Sequence, residues 1–539
     1  MIGGEILIEG LKAQGIRCLV GMPGTQNSLI YDCLLRRGGI DHYLIRNEQA
    51  ATLVASGFAR ASGEVGVALT VPGPGSTNAS TGLGDACADC VPVLLITGGT
   101  EVAHDGRDRS KCFHGLDQAA FFAPITRFYA RPRCVEEIPA ALTGAFRALR
   151  APRPGPAVID LPADVAAAAA DGVQIPAYVE GERPVPAAAA IEEAAALLGR
   201  CQRPAILAGG NVLSAAASGE LRQLAAAWDV PVALTRLGKG ALPDGHPLCV
   251  EHCQGPLGRS ILESADGVLA LGCRFTQIDT AGWTMQLPAP LVQFDPDPGE
   301  IGREFPVDGS VVGDLKQALP LLLDALRTQK SLHSDWGTVV AQRRREKTAH
   351  RPPLPLMAAM RRILAPDAIV AADVTAITYR AFDEFPVYQP RTFLYPCHYV
   401  TLGFGVPAAI GARLAHPDRQ VVAFCGDGGF QMTAYELATA AEHRIQVVFV
   451  VVNDGSLSAI RGSQAKEFDG RTIDTDMHTP HLADLARAMG VRGIRVEEPE
   501  GFAEVFAASL QQQGPTLIEV MMEERRDELI RRVPWIYPD

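Results

Sequence analysis

Residues 421–429 read VVAFCGDGG, an apolar run that ends in a glycine-rich turn containing the acidic residue Asp427. An uninterrupted apolar run of this length is typical of a strand buried on both faces of a parallel sheet. A second apolar run, 447–452, follows a helical stretch and ends at Asn453. Because ligands bind at the carboxyl ends of the strands in a doubly wound sheet, we expect both turns to lie at a ligand-binding edge.

These two turns carry oxygen donors next to glycines. Asp427 supplies a carboxylate, and Asn453, 26 positions later, supplies an amide oxygen. Hard oxygen ligands suit Mg²⁺, and glycines let the backbone approach a phosphate closely. The alternative is that both are ordinary strand-end turns without a ligand. A GDG triplet alone would be weak evidence against this alternative. The combination of both turns after two apolar strands favours Mg²⁺ bridging a diphosphate.

The same alternation of apolar strands and helical stretches occurs in three blocks of the chain. We therefore predict an α/β fold of three consecutive doubly wound parallel-sheet domains, with bounds 1–170, 187–328 and 352–539. The stretch 166–190, rich in Ala and Pro and without periodicity, is typical of a linker. The predicted strands are 65–71, 91–97 and 157–161, then 204–208, 230–235, 267–271 and 291–294, then 369–372, 420–425 and 446–452.

Composition excludes several classes of protein. The 539 residues have 49 basic and 61 acidic side chains, a net charge of −12, and 47 % hydrophobic residues. A disordered chain is less hydrophobic, and a nucleic-acid-binding protein is normally basic. The sequence contains no run of about 18 apolar residues, the length that a membrane span needs. Its first residues do not resemble a signal peptide. We expect a cytoplasmic protein with no nucleic-acid or membrane partner.

The twelve cysteines are too sparse for a disulfide scaffold. Cys87 and Cys90 have C-x-x-C spacing, but no second pair with zinc-site spacing lies near them. We expect a buried structural role for this pair, at the end of a helix that precedes a strand, rather than redox chemistry or metal binding.

The GDG turn and Asn453 resemble the motif of thiamin-diphosphate-dependent 2-oxo-acid decarboxylases and carboligases. The resemblance covers essentially the whole chain. Within this family, the sequence most resembles the acetolactate synthase branch, near benzaldehyde lyase and benzoylformate decarboxylase. The family motif has an Asn pair, of which Val452 replaces the first. The resemblance implies a pyrimidine-binding, a central and a diphosphate-binding domain. It also implies a magnesium ion held by Asp427, Asn453 and the backbone carbonyl of Gly455.

Further matches to this family occur in the first and third blocks. Glu48 matches the glutamate that hydrogen-bonds the aminopyrimidine N1′ and so activates the cofactor. Leu402 matches the bulky apolar residue that holds the cofactor in its bent shape, although a plain core leucine is the alternative. The cofactor-binding residues that the resemblance implies are Glu48, Pro74, Asn78, Leu402, Gly403, Gly426, Asp427, Gly428, Gly429, Asn453, Gly455, Ser456 and Leu457.

Polar candidates for the substrate pocket are few. Thr25 and Gln26 lie where relatives place Asp, Ser or His, and His114 lies where synthases and lyases place Gln. A histidine can relay protons near neutral pH, whereas a glutamine can only hydrogen-bond. A histidine that merely satisfies a loop is the alternative. The predicted catalytic residues are therefore Glu48, His114, Gln26 and Thr25.

The resemblance implies decarboxylation of a 2-oxo acid and ligation of the resulting enamine to a second carbonyl compound. A simple decarboxylase of the benzoylformate type and an acyloin or 2-hydroxyacyl-CoA lyase remain alternatives. A silent regulatory paralogue is disfavoured, because Glu48, Asp427 and Asn453 are all present. The family forms its site between two subunits, so a homodimer is the minimum and a homotetramer is expected. We expect no FAD, because residues 251–255 (EHCQG) replace a more apolar flavin-contacting loop.

Overall fold

A computed structural model describes residues 1–328, 336–350 and 354–522, without the side chains of residues 347–350. Over these residues the chain forms three six-stranded sheets, and every strand pair within them is parallel. The predicted α/β fold of three doubly wound sheets is confirmed. The three sheets fall within the predicted domain bounds, which stay predictions; residues 352–353 and 523–539 of the third domain lie outside the described residues.

The N-terminal sheet has the strand order β2-β1-β3-β4-β6-β5. The strand order reverses between β1 and β3, so the loops after these two strands border the crevice where ligands bind in such sheets. The strands are β1 (Cys18–Gly21), β2 (Asp41–Leu44), β3 (Gly66–Thr70), β4 (Val93–Gly99), β5 (Phe128–Ala130) and β6 (Ala157–Pro162). The helices are α1 (Gly3–Ala13), α2 (Ser28–Arg37), α3 (Glu48–Ser62), α4 (Pro74–Ala88), α5 (Gln118–Phe122), α6 (Ile138–Leu149) and α7 (Ala163–Ala167).

The central sheet has a different order, β12-β11-β10-β7-β8-β9. This is the order 3-2-1-4-5-6 of dinucleotide-binding folds, with its switch point between β7 and β10. The strands are β7 (Pro204–Ala208), β8 (Val232–Leu234), β9 (Cys249–His252), β10 (Gly267–Leu271), β11 (Leu291–Asp295) and β12 (Gly309–Val312). The helices are α8 (Ala188–Leu198), α9 (Asn211–Ser214), α10 (Ser218–Trp228), α11 (Pro256–Ser264) and α12 (Leu315–Thr328), followed by α13 (Trp336–His350).

The C-terminal sheet repeats the N-terminal order as β14-β13-β15-β16-β18-β17. Its switch point lies between β13 and β15. The strands are β13 (Ile369–Ala372), β14 (Phe393–Leu394), β15 (Val421–Gly426), β16 (Val448–Asn453), β17 (Arg492–Val496) and β18 (Thr516–Met521). The helices are α14 (Pro355–Ile363), α15 (Ala376–Glu384), α16 (Gly405–Ala415), α17 (Asp427–Thr433), α18 (Glu436–Glu442), α19 (Ser458–Glu467), α20 (Leu482–Ala488) and α21 (Phe502–Leu510).

Helices α3 and α16 join the N-terminal and C-terminal domains within one chain. A Cβ atom on Gly411 of α16 would lie 2.0 Å from the Val54 carbonyl oxygen of α3, and one on Gly57 would lie 2.3 Å from that of Ala408. Only glycine permits so close an approach of two helix backbones. One cluster of buried apolar side chains accordingly contains residues of both domains.

The Cys87–Cys90 pair lies where the sequence places it, with Cys87 in the last turn of α4 and Cys90 between α4 and β4. Both side chains are partly buried and neither forms a disulfide. Among the described helices, none combines the length and the apolar character that a membrane crossing needs.

Candidate active site

Asp427 and Asn453 lie side by side at the carboxyl edge of the C-terminal sheet. In the parallel pairing of β15 with β16, Gly426 is opposite Val452. The next residue on each strand is therefore one of the two predicted oxygen donors, about 5 Å apart at their backbones. Asp427 is 1 % exposed and begins α17, and Asn453 is also buried. The sheet thus brings together the two turns that the sequence singled out.

A buried carboxylate fixes the orientation of Asn453. The Nδ2 group of Asn453 donates to Glu519 Oε1 at 2.7 Å, so its Oδ1 atom points the other way. That oxygen accepts a hydrogen bond from the Gly455 backbone at 3.2 Å. Gly455 adopts a left-handed φ of +63°, which glycine tolerates. Glu519 lies on β18, and sequence reasoning missed it.

The segment 475–479 covers this edge. Thr479 Oγ1 donates to Asp427 Oδ2 at 2.6 Å, and the Met477 backbone donates to the Gly455 carbonyl at 2.8 Å. Ser456 Oγ donates to the Thr475 carbonyl at 2.8 Å. Burial raises the pKa of Asp427 to about 6. A carboxylate buried in this way is stabilised by a bound cation.

Glycines and an aspartate shape the backbone around Asp427. Asp373, which follows β13, accepts hydrogen bonds from the backbones of Gly403 (3.0 Å) and Gly405 (3.1 Å). Burial raises the pKa of Asp373 to about 6. A Cβ on Gly429 would lie 3.1 Å from the Asp373 carboxylate, so a side chain there would crowd it. Sequence reasoning missed Asp373, although an acid directly after an apolar strand was a signal.

Four more of the predicted cofactor contacts border the same edge. Leu402 is 36 % exposed, which is unusual for a leucine of a core and disfavours the plain core alternative. Gly403, beside it, has a left-handed φ of +79°. A Cβ on Gly428 would lie 2.9 Å from Leu457, so these two predicted contacts are neighbours.

Glu48 lies at the start of α3 in the N-terminal domain. It is 7 % exposed, and Asn78 Nδ2 donates to its Oε2 atom at 3.0 Å. Asn78 belongs to α4, which begins at the exposed residue Pro74. Asn47 caps α3 by accepting a hydrogen bond from the Gln49 backbone. The structure therefore brings Glu48 together with Asn78, and its other carboxylate oxygen has no hydrogen-bond donor among the described residues.

A carboxylate of the C-terminal domain holds the chain just before Glu48. Glu436 Oε1 accepts from the backbones of Arg46 (2.8 Å) and Asn47 (3.2 Å). These contacts join residues about 390 positions apart, and sequence reasoning missed Glu436. They show that the position of Glu48 depends on the C-terminal domain of the same chain.

His114 lies against the glycine turn that precedes α4. It has a left-handed φ of +54°, and its ring stacks on that of Phe113 with centroids 4.0 Å apart. A Cβ on Gly73 would lie 2.8 Å from the His114 carbonyl oxygen. The Nδ1 atom of His114 is buried and has no hydrogen-bond partner among the described residues. The Nδ1 atom therefore makes no hydrogen bond to the surrounding loop, which disfavours the alternative that this histidine only stabilises the loop.

Thr25 and Gln26 lie in the loop between β1 and α2. Thr25 is exposed and Gln26 is half-buried, and the Gln26 backbone packs beside Gly98 of β4. The Oε1 atom of Gln26 is buried without a hydrogen-bond partner among the described residues. The switch-point loops of the N-terminal sheet therefore carry Thr25 and Gln26 on one side and Pro74 on the other.

A separate cavity of about 520 Å³ lies where the three domains meet. It borders Gly210 and Gly272, which follow β7 and β10 at the switch point of the central sheet. A volume of this order fits a small-molecule ligand. Its lining includes neither Glu48 nor Asp427.

Comparison with known proteins identifies the three domains. Residues 1–121 match the thiamine pyrophosphate enzyme N-terminal TPP binding domain, residues 191–322 its central domain, and residues 373–520 its C-terminal TPP binding domain. Thiamine pyrophosphate is the same compound as thiamin diphosphate.

Full-length relatives agree with this assignment. The chain is 34 % identical to a probable acetolactate synthase large subunit of Methanocaldococcus jannaschii, over 97 % of this chain and 92 % of that protein. It is 31 % identical to the acetolactate synthase large subunit of Lactococcus lactis, with the same coverage. It is 32 % identical to the acetolactate synthase isozyme 1 large subunit of Escherichia coli, over 97 % and 94 %. The chain therefore belongs to the thiamine pyrophosphate enzyme family and is a thiamin-diphosphate-dependent enzyme of the acetolactate synthase group.

Proposed function

We propose that this enzyme decarboxylates a 2-oxo acid and joins the remaining acyl unit to a second carbonyl compound, as the names of its relatives indicate. The observation that carries the proposal is the placement of Asp427 beside Asn453 at the edge of the C-terminal sheet. The N-terminal domain, whose sheet has the same strand order, carries Glu48. A silent paralogue has no need to retain all three side chains. When bound, thiamin diphosphate supplies a carbanion that adds to the 2-oxo acid and an electron sink for the departing CO₂.

We propose that Asp427, Asn453 and the Gly455 carbonyl hold Mg²⁺ against the diphosphate. All three are hard oxygen donors, and the buried Asp427 carboxylate favours a cation. Glu519 presents the Asn453 oxygen, and the Gly455 carbonyl retains one lone pair beyond its bond to Met477. Gly426, Gly428 and Gly429 leave room for phosphate oxygens at this turn.

Glu48 is proposed to hold a proton at the aminopyrimidine N1′ of the cofactor. Glu48 is buried, and Asn78 occupies only one of its two carboxylate oxygens, which leaves the other oxygen for the cofactor. Pro74, Leu402, Gly403, Ser456 and Leu457 are proposed to contact the cofactor. Thr25, Gln26 and His114 are proposed to face the substrate. His114 would exchange a proton with it, and the unpartnered Gln26 Oε1 would accept a hydrogen bond from it.

A homodimer is proposed as the smallest active unit and a homotetramer as the assembled form, in the cytoplasm. The dimer is supported by large apolar side chains that stay exposed in the single chain, next to the C-terminal edge. These side chains are Leu402, Met432 and Ile460.

We further propose that the chain works without FAD. The loop 251–255 places His252 and Cys253 beside the buried Asp279, so polar rather than apolar side chains occupy this loop at the end of β9. Visible absorption of the purified enzyme tests this: we expect no flavin spectrum. A flavin band in stoichiometric amount would contradict the proposal.

Product analysis by NMR tests the reaction itself. With pyruvate, thiamin diphosphate and Mg²⁺, we expect acetolactate, and an Asp427→Ala variant should form none. Acetaldehyde alone would contradict carboligation and favour a simple decarboxylase. If pyruvate is not consumed but benzoylformate is, the donor is an aromatic acid and the benzoylformate-type alternative replaces the proposal.

A further inference from the structure

Three buried side chains with metal-binding atoms meet where the central domain contacts the C-terminal domain. His252 ends β9, Cys253 follows it, and Asp279 lies in the loop after β10. They are 3 %, 0 % and 5 % exposed, and their ligand atoms all lie within 4.8 Å of one another. The proposed reaction uses none of them.

His398 of the C-terminal domain supplies a fourth donor. Its Nε2 atom is 3.6 Å from Asp279 Oδ2, and His252 Nε2 is 3.6 Å from Asp279 Oδ1. The His398 Nε2 atom is buried and has no hydrogen-bond partner within the described part of the chain. Tetrahedral zinc with ordinary bond lengths separates its ligand atoms by about 3.3–3.8 Å. Each 3.6 Å distance falls in this range, and the two histidines face different oxygens of the Asp279 carboxylate. Because the ligand atoms of His252, Cys253 and Asp279 all lie within 4.8 Å of one another, metal binding would need a closure of at most about 1 Å among them.

The groups behind these donors are arranged as they are around metal sites. Asp89 Oδ1 lies 2.6 Å from His398 Nδ1, which leaves Nε2 of that ring facing the cluster. A carboxylate behind a ligating histidine is the usual way to fix the ring and its tautomer. Asp279 accepts from the Arg236 backbone and from the Thr276 hydroxyl, each at 3.0 Å. Since a carboxylate has about four acceptor positions, free ones remain on Asp279.

An ion can reach this cluster from the cavity between the three domains. Asp89, Asp279 and His398 all line that cavity, whereas His252 and Cys253 lie deeper. A usable metal site needs such an access route as well as suitable ligands.

We propose that His252, Cys253, Asp279 and His398 bind one divalent transition-metal ion of the zinc class. One thiolate, two imidazoles and a carboxylate suit zinc and its neighbours, whereas Mg²⁺ prefers oxygen ligands alone. The ion would tie two loops of the central domain to the segment that precedes α16. The site is independent of the thiamin diphosphate site, which contains no thiol among its proposed ligands.

Cobalt substitution of the full-length enzyme tests the site. The enzyme is first stripped of transition metals with a chelator, then saturated with thiamin diphosphate and excess Mg²⁺, and finally titrated with Co²⁺. We expect one Co²⁺ per chain with a thiolate-to-cobalt charge-transfer band, displaced by one equivalent of Zn²⁺. Co²⁺ at Asp427 cannot produce this band, so its appearance does not depend on the proposed activity.

Variants identify the ligands. Cys253→Ala should abolish the band and weaken Zn²⁺ binding at least tenfold, and His398→Ala should weaken Zn²⁺ binding by a similar factor while retaining the band. Cys249→Ala, which removes another buried thiol of β9, is the matched control and should change neither. If Cys253→Ala does not fold, the unaltered enzyme and His398→Ala still decide the question. Absence of the band from the unaltered enzyme, or its persistence in Cys253→Ala, would overturn the proposal in favour of a metal-free ion-pair network around His398.

Discussion

The N-terminal and C-terminal domains have the same strand order but different chemistry at the corresponding edge. The C-terminal edge presents one oxygen donor directly after β15 and another at the last residue of β16. The N-terminal edge presents no such pair at its strand ends, and its key acid, Glu48, begins a helix and is held by Asn78. The two domains therefore share one strand order but carry different functional groups. The turns and the first residues of the helices, rather than the fold, decide which groups each edge presents.

The two edges are also coupled by direct contacts between the N-terminal and C-terminal domains. Glu436 of the C-terminal domain fixes the backbone just before Glu48, and α3 packs on α16 through glycines. The central domain, with its different strand order, contributes a cavity but none of the proposed catalytic groups. Variants at each edge should consequently separate cofactor retention from proton transfer.

The largest effect is expected at the C-terminal edge. Asp427→Ala removes a buried carboxylate ligand and should weaken Mg²⁺ binding at least about 100-fold, with loss of measurable turnover. The measurement is the thermal shift produced by thiamin diphosphate with Mg²⁺, which stabilises only a protein that binds it. The exposed Asp418→Ala is the control and should keep the full shift. An undiminished shift in Asp427→Ala would refute the division of tasks between the edges.

The next effect is expected at the N-terminal edge. Glu48→Gln keeps the size of the side chain but cannot exchange a proton, so kcat should fall by about 10²–10⁴-fold. Cofactor binding should persist, because the diphosphate is held by the other domain. Turnover and the cofactor thermal shift are measured on the same samples, with the exposed Glu64→Gln as control. Loss of the thermal shift instead of turnover would show that the two edges are not specialised in this way.

Much of the fold could be predicted from the sequence because buried parallel strands are continuous apolar runs. All ten predicted strands occur, with ends shifted by at most two residues. The missed strands are short or mixed in polarity, such as Asp41–Leu44 and Phe393–Leu394. Their stability comes from pairing with neighbouring strands rather than from their own pattern.

The residues of the candidate site likewise include some that local sequence predicts and others that it does not. Asp427 and Asn453 were predictable because each lies next to an apolar strand in a short motif. Glu436 and Glu519 were not, because they act on residues that are distant in sequence and close only after folding. Nor does any local pattern place His398 beside Asp279, since those residues come from different domains.

A smaller effect on rate is expected at His114. His114→Gln introduces the side chain that the family resemblance implies at this position but removes the imidazole that is proposed to exchange a proton with the substrate. We expect kcat to fall by about tenfold, at the low end for removal of an acid–base group, and the fraction of ligated product to change. NMR of the product mixture measures both. The exposed His104→Gln serves as control, and unchanged rates and products in His114→Gln would leave this histidine a loop residue.

The smallest effect on catalysis, with a clear effect on stability, is expected where the two similar domains meet. Gly411→Ala would place a methyl group 2.0 Å from the Val54 carbonyl, so α16 must move away from α3. Overpacking of this kind costs about 1–3 kcal/mol. Gly219→Ala in α10, where no atom lies within 4 Å of the new methyl group, should instead stabilise the protein by about 0.5–1 kcal/mol. Urea unfolding of both variants measures the difference. If Gly411→Ala is as stable as Gly219→Ala, the two domains do not depend on this helix contact, and their coupling must rest on Glu436 and the shared apolar cluster.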